Sequence, residues 1–289
     1  MSDRDTLAAW FRPTWAGGWS AMRILWLGAA ALAHGPRMMG IGDVYGSRDL
    51  VLHSSIMPLN TWMEVTETHA WIAWAIGLLG LALVAWGGRA FHVGLLAWAG
   101  GSWFVLATEA INIKAYDRLL TWLALALLFS PAWRRGLARA WCSPFARYLV
   151  LVIFIAIYGS TGMCKLLHEP SWLGDGEVLR YHLVHTYFGM RPLGVVVSGW
   201  GWLVAPMAWI TVAFEVSFPF LVWLKRANPW VLLVGALFHI ALLMLMDVGP
   251  FGFVSLSAYP VLLHPEVARD LWERAQGWWT ARRSAAAAG

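Results

Sequence analysis

Charge is scarce in this chain. Only 13% of its 289 residues are Asp, Glu, Lys or Arg, against about 25% in a soluble domain. Too few polar groups remain to coat a water-soluble globule. Cysteine is scarcer: Cys142 and Cys164 are the whole complement. There is no Cys-x-x-Cys and no His-x3-His pair, so no structural zinc site is expected. The chain also has no phosphate-binding glycine loop, no nucleophile elbow and no convincing internal repeat. The N-terminus lacks a signal-peptide pattern. Its first apolar run follows Trp19 without a small-residue cleavage site, and is expected to stay attached.

What fills the chain instead is apolar. Hydrophobic residues make up 60% and the mean hydropathy is +0.60. They come in blocks of membrane-spanning length, and the 22 tryptophans suit membrane–water interfaces. The expected class is all-α: a polytopic membrane bundle of about eight spans, seven being the alternative. The expected spans are 19–34, 69–86, 90–107, 119–130, 148–167, 202–224, 230–246 and 251–263. By domain, 1–18 reads as a cytoplasmic or interfacial N-terminal segment, with Trp10, Phe11, Trp15 and Trp19 and the basic Arg4 and Arg12 suiting a small interfacial helix. Residues 19–265 read as the transmembrane domain, and 266–289 as an amphipathic cytoplasmic tail with a low-complexity alanine end. The two long polar segments are 35–68 and 168–200.

The net charge of +5 does not point to nucleic acid, because no basic stripe with interleaved aromatics occurs. Basic residues retained in cytoplasmic loops explain it. With both termini cytoplasmic, Arg89, then Arg134, Arg135, Arg139 and Arg147, then Lys225 and Arg226 all face inward. The outer segments are near neutral or acidic. The outer face is then periplasmic or extracellular in a bacterium and lumenal in a eukaryote; the expected location is the plasma or inner membrane of a bacterium. Cys142 then falls in an inner loop and Cys164 in a span, so no disulfide between them is expected.

Four ionisable residues fall at membrane depth: Arg23, Lys165, Glu215 and His239. Each costs at least about 2.5 kcal/mol near a helix centre unless it snorkels or pairs. Lys165 anchors the stretch YGSTGMCKLLHEPSWLGDG, residues 158–176, where an apolar run meets a polar loop. Tyr158, Thr161, Lys165 and His168 share one helical face, and Gly159 and Gly162 form a small-residue edge for close packing. Lys165 either snorkels to the outer interface or is a desolvated amine serving as base or nucleophile. Glu215 is either a charge partner of Arg23 or Lys165, or a substrate or proton contact. His239 is either a satisfied core histidine or a proton relay. The outward histidines His53, His69, His168, His182 and His185 lack a carboxylate and third ligand at fixed spacing, so no metal is expected.

The segment Gly162-Met163-Cys164-Lys165-Leu166, followed by Trp172, Leu173 and Gly176, resembles a signature of the horizontally transferred transmembrane (HTTM) family. That family includes the vitamin K-dependent gamma-glutamyl carboxylases. Arg23 opening the first span, the Phe214–Val222 segment and Phe238-His239 followed by Phe251-Gly252-Phe253 occur in the family's order. The likeness covers residues 19–265. The resemblance implies a catalytic base at Lys165. An enzyme is expected to hold a lateral apolar cavity under Lys165, with Glu215 and His239 converging on it from the sixth and seventh spans. The resemblance also implies a reduced naphthoquinone, vitamin K-like, as cofactor with O2 and CO2. In those enzymes the lysine deprotonates the quinol, oxygen attacks it, and the resulting strong base takes a proton from a glutamate that then adds CO2. Tyr158, Thr161, Trp172 and Phe218 are the expected cofactor contacts, and Arg23 the charge-pairing residue. The chain departs from the carboxylases in two ways. Only residues 265–289 follow the last span, and Asn112-Ile113-Lys114-Ala115 lacks the histidine found before the family's fourth span. The expected function is therefore quinol-dependent modification of a secreted peptide or a small substrate at the outer face. The alternative is a non-catalytic membrane accessory for maturing or exporting a secreted peptide. A transporter is disfavoured for want of paired half-helices. The expected partners are the lipid bilayer and a secreted peptide or protein substrate, with no nucleic acid.

Overall fold

The computed structural model describes residues 11–39, 41, 66–108, 115–134, 137, 140–186, 189 and 191–288. Most of the expected 35–68 segment lies outside these, as do Arg4, Trp10, His53, Arg135, Arg139 and residues 112–114. The described chain is mostly helical: α1 Gly17–Met39, α2 Glu67–Trp86, α3 Ala90–Thr108, α4 Ala115–Leu128 and α5 Phe145–Leu167. Then come α6 Glu177–Val184, α7 Pro192–Ser198, α8 Gly201–Leu221, α9 Asn228–Leu245, α10 Phe251–Ser257, α11 Tyr259–Leu262 and α12 Pro265–Ala288.

Among the described residues, four helices are long and apolar enough to cross a membrane: α2, α5, α8 and α9. Their outer faces leave large apolar side chains uncovered, such as Ile72, Leu79, Val152, Ile210, Phe220 and Leu237. A bundle in water would bury such a belt; in a bilayer the lipid covers it. The chain is accordingly built as a helical membrane protein.

Two expected elements take a different form. The last expected span, 251–263, is a pair of short helices meeting at Ala258. Pro260 has no N–H to give the Leu256 carbonyl, so a continuous helix cannot pass. The N-terminal segment is not helical over residues 13–16. Thr14–Trp15 is a short strand, β1, paired antiparallel with β2, Trp141–Cys142, in the register Thr14↔Cys142 and Trp15↔Trp141. Pro13 disfavours helix at the residue before it. The 168–200 segment is more ordered than its polarity suggests, carrying a 3-10 turn at Pro170–Leu173 with α6 and α7.

Helix pairs close over glycine. α2 and α3 form a hairpin across Gly87 and Gly88, both at positive φ (79° and 61°). A Cβ on Gly80 would lie 2.5 Å from Trp98 N, and one on Gly94 would lie 2.6 Å from the Gly80 carbonyl. In α5, a Cβ on Gly162 would lie 2.8 Å from Val216 N and 2.9 Å from Glu215 Cβ. Such backbone approach is how helices gain packing where lipid offers no hydrophobic drive between them.

The basic end is tied by side chains on backbone carbonyls. Arg147, expected in a loop, is instead buried at the start of α5 and donates to the carbonyls of Val261 (3.1 Å) and Leu262 (3.4 Å). Buried Asn228 donates to Val222 O and Leu262 O and accepts from His264 N at 2.7 Å. These groups satisfy helix-end carbonyls that would otherwise be unpaired.

Gly162→Ala should lower the melting temperature in detergent, because the added methyl has no room and overpacking costs about 1–3 kcal/mol. Gly28→Ala, where a Cβ meets nothing within 4 Å, should be neutral or slightly stabilising through helix propensity. Thermal unfolding of the two variants side by side checks the contrast.

Candidate functional site

The α5 helix carries Tyr158, Thr161 and Lys165 up one side toward the end of the bundle away from the basic loops. Gly162 lets α8 approach closely enough for Glu215 to meet Lys165. The Lys165 ammonium donates to both Glu215 carboxylate oxygens at 2.6 Å each. The pair is only partly open, with side chains 18% and 5% exposed for Lys165 and Glu215. Thr161 flanks the carboxylate, while its hydroxyl donates back to the Ile157 carbonyl at 2.8 Å.

The loop after α5 folds back over this pair. The Pro170–Leu173 turn sets the Trp172 ring 4.9 Å from the Lys165 ammonium, a cation–π contact. The Trp172 indole N–H donates to Glu169 at 2.9 Å, and the ring stacks on His182 at 5.7 Å. The loop is fastened to α8 at two points. Trp209 donates to the carbonyls of Leu173 and Gly174, each at 3.0 Å. Gly176, at φ 84°, lies so close that a Cβ would sit 2.6 Å from Ala205 N. Only glycine adopts that backbone conformation readily, which is the physical reason for a glycine after Trp172 in this stretch.

Two turns below Lys165 on α5 lies a second polar group. The Tyr158 hydroxyl and His239 Nε2 are 2.5 Å apart, and the Tyr259 hydroxyl is 3.4 Å from that of Tyr158. His239 is fully buried, and its Nδ1 has no hydrogen-bond partner among the described residues. Aromatic rings enclose the group: Phe218 and Phe214 lie 4.6 and 5.0 Å from the Tyr158 ring, and Phe238 and Phe251 pack on His239.

The expected residues therefore fall in two layers rather than one. Lys165, Glu215, Thr161 and Trp172 form the outer layer. Tyr158, His239 and Phe218 form the inner one, joined by Tyr259, Phe214 and Phe238. His239 makes its polar contact with Tyr158, and not directly with the lysine. Arg23 belongs to neither layer. It donates to the Ala132 carbonyl at 3.0 Å, near the opposite end of the bundle, and the carboxylate partner in the outer layer is Lys165. Tyr259 was missed by sequence reasoning. Its only signal was a hydroxyl in an apolar run just before a proline. Among the described residues no three His, Cys, Asp or Glu side chains gather as a metal set.

The Lys165–Glu215 pair is matched in charge and in hydrogen bonds, which is what makes it tolerable in low dielectric. It can exist as ammonium with carboxylate or, after one proton shift across 2.6 Å, as amine with carboxylic acid. Both states are neutral overall, so the proton moves without placing net charge in the membrane.

Removing one partner alone, as in Lys165→Met or Glu215→Leu, should destabilise the fold by about 3–5 kcal/mol. The double variant should recover most of that loss in a thermal-unfolding cycle. A second expectation concerns pH. Desolvation against Trp172 pushes His182 below its ordinary value, opposed by Glu169 and assisted by His185 and Lys165. The folded state then holds fewer protons than the unfolded state as pH falls through about 6.5. Stability contributed here is present above that pH and is lost below it until the folded histidine also protonates. His182→Phe should flatten this acid dependence in melting curves taken between neutral and mildly acidic pH.

Compared with family models, with curated proteins and with solved structures, the chain matches none of them.

Proposed function

We propose that the chain is a membrane enzyme in which Lys165 acts as a base on an apolar, quinol-like molecule at the extracytoplasmic face. In this reading it is similar to the vitamin K-dependent gamma-carboxylases, and it modifies a secreted peptide or a small substrate. The observation that carries the proposal is the Lys165–Glu215 pair, with both carboxylate oxygens 2.6 Å from the ammonium. It stands beneath Trp172 at an edge where Thr161 is exposed. The reading takes eight spans with both termini cytoplasmic. That orientation gathers Arg89, Arg134, Lys225 and Arg226 on the inner side, in keeping with the bias of basic loops.

A ring molecule dissolved in the bilayer would reach Lys165 from the side, past Thr161. Thr161 and Trp172 are the groups suited to hold it, one a hydroxyl and the other an indole. Tyr158 and Phe218 are buried and packed on each other, so they make the floor and not the contact. A reduced naphthoquinone fits this donor set, and would supply the oxidisable hydroxyls, with O2 and CO2 as co-reactants. The chain's own part is proton handling. Glu215 would accept a proton from the Lys165 ammonium, leaving an amine able to take up a hydroxyl proton and return to ammonium. Lys165 as ammonium would then offer a positive charge to a deprotonated hydroxyl in low dielectric.

A non-catalytic accessory role is favoured by one feature: a bidentate ion pair across α5 and α8 also serves as a helix clamp. The two readings separate on purified protein in detergent, supplied with reduced naphthoquinone and oxygen and assayed for quinone epoxide by mass spectrometry. Wild type should form epoxide, and Lys165→Ala and Lys165→Arg should both lose it, since arginine stays charged and cannot serve as base. Full activity in folded Lys165→Arg, or no epoxide from folded wild type, would overturn the enzyme reading and leave the clamp.

A further inference from the structure

The longest element outside the bundle is α12, 24 residues from Pro265 to Ala288. Every residue from Asp270 to Ser284 is exposed. Helices in proteins draw most of their stability from packing an amphipathic face, and this one uncovers Leu271 (53%), Trp272 (41%), Trp278 (54%) and Trp279 (53%).

These side chains are not scattered. Leu271, Ala275, Trp278 and Arg282 follow one another at spacings of four, three and four, and Trp272, Ala275 and Trp279 at three and four. They form one stripe of the helix. Glu273, Gly277, Thr280 and Ser284 occupy the other side at the same spacings. The acids Glu266, Asp270 and Glu273 stand away from the aromatic stripe, and the first and last are engaged by Lys225 and Arg269. Beyond Glu273 there is no acidic residue, only Arg274, Arg282 and Arg283. Arg282 lies 4.1 Å from the Trp278 ring centroid and Arg283 lies 5.3 Å from that of Trp279. Cationic groups therefore sit on the aromatic face itself.

The root of the helix continues from the bundle. It starts three residues after α11 and packs on the β1–β2 pair, with Trp15 and Trp272 rings 6.4 Å apart and Arg269 over Trp141. Chain continuity thus keeps the stripe at the membrane boundary that the apolar bundle defines.

We infer that α12 is a lipid-binding element that lies along the bilayer surface at the basic end and recognises anionic headgroups. The indoles enter the headgroup–acyl boundary and Arg282 and Arg283 meet lipid phosphates, as amphipathic interfacial helices do. The inference is independent of the chemistry at Lys165.

The test uses the full chain carrying Cys142→Ser and Cys164→Ser. A single spin label is placed by Ala275→Cys or Thr280→Cys, and the protein is reconstituted in phosphatidylcholine vesicles with or without phosphatidylglycerol. In anionic vesicles the label at position 275 should be open to dissolved oxygen and shielded from a water-soluble nickel chelate; the label at 280 should show the reverse. High salt, omission of phosphatidylglycerol, or Arg282→Gln with Arg283→Gln should each raise nickel access at 275 several-fold. Equal nickel access at both positions, or shielding at 275 indifferent to lipid charge and to the arginines, would overturn the inference. So would shielding that appears only at high protein-to-lipid ratio with spin–spin broadening, which would assign the stripe to a second copy of the chain.

Discussion

An ammonium and a carboxylate at membrane depth have to find each other. Lys165 and Glu215 are separated by 50 residues, and alone each would be costly in hydrocarbon. Their pairing requires α5 and α8 to pass at nearly backbone distance, which Gly162 allows. The same approach brings the α8 rings Phe214 and Phe218 against Tyr158, and the fixed start of α8 receives the Trp172 loop through Trp209 and Gly176. The ion pair, the aromatic floor and the tryptophan cover are consequences of one close helix crossing.

Polar satisfaction explains the rest of the bundle in the same terms. Lipid cannot pair with a free backbone carbonyl, so helix ends and breaks are met by side chains. Arg147 and Asn228 do this where α11 ends, and the Trp26 indole is satisfied in turn by the Leu120 carbonyl within α4. His34 finds Ser102 at 2.9 Å between α1 and α3. In the inner layer, His239 Nδ1 has no hydrogen-bond partner among the described residues. It lies in the aromatic layer directly beneath the pair that can exchange a proton. The two layers form one column of polar groups along α5, the Lys165–Glu215 pair above and Tyr158 with His239 two turns below, lined by apolar rings.

The α12 helix shows the opposite regime. Where the column hides charge by pairing it, the tail displays arginine on tryptophan at the surface. One end of the molecule is built for an apolar interior and the other for a charged boundary, and the same residue types serve both. A Lys–Trp contact is partly buried at one end, and Arg–Trp contacts are exposed at the other.

Much of this was legible from the chain alone. Helices near 69–86, 90–107 and 148–167 follow from apolar runs bounded by Gly-Gly, Pro and charge, because burial in lipid needs only length and hydropathy. Lys165, Glu215, His239 and Trp172 stood out because a polar or amphipathic group in such a run is expensive or interfacial. Which of them meet was not legible. Nothing local in the sequence tells Glu215 to choose Lys165 over Arg23, or His239 to choose Tyr158 over the lysine, since partner choice depends on helix crossings between distant segments. Tyr259 escaped notice and Arg147 read as a loop charge for the same reason: each looks ordinary beside its neighbours and becomes important only through a carbonyl or hydroxyl from another helix. The amino-acid sequence by itself determined the solvent this chain requires and the polar groups that must be resolved within it. Only the tertiary structure decided how they are resolved, because hydrogen-bond and charge pairing act over about 3 Å between residues many positions apart.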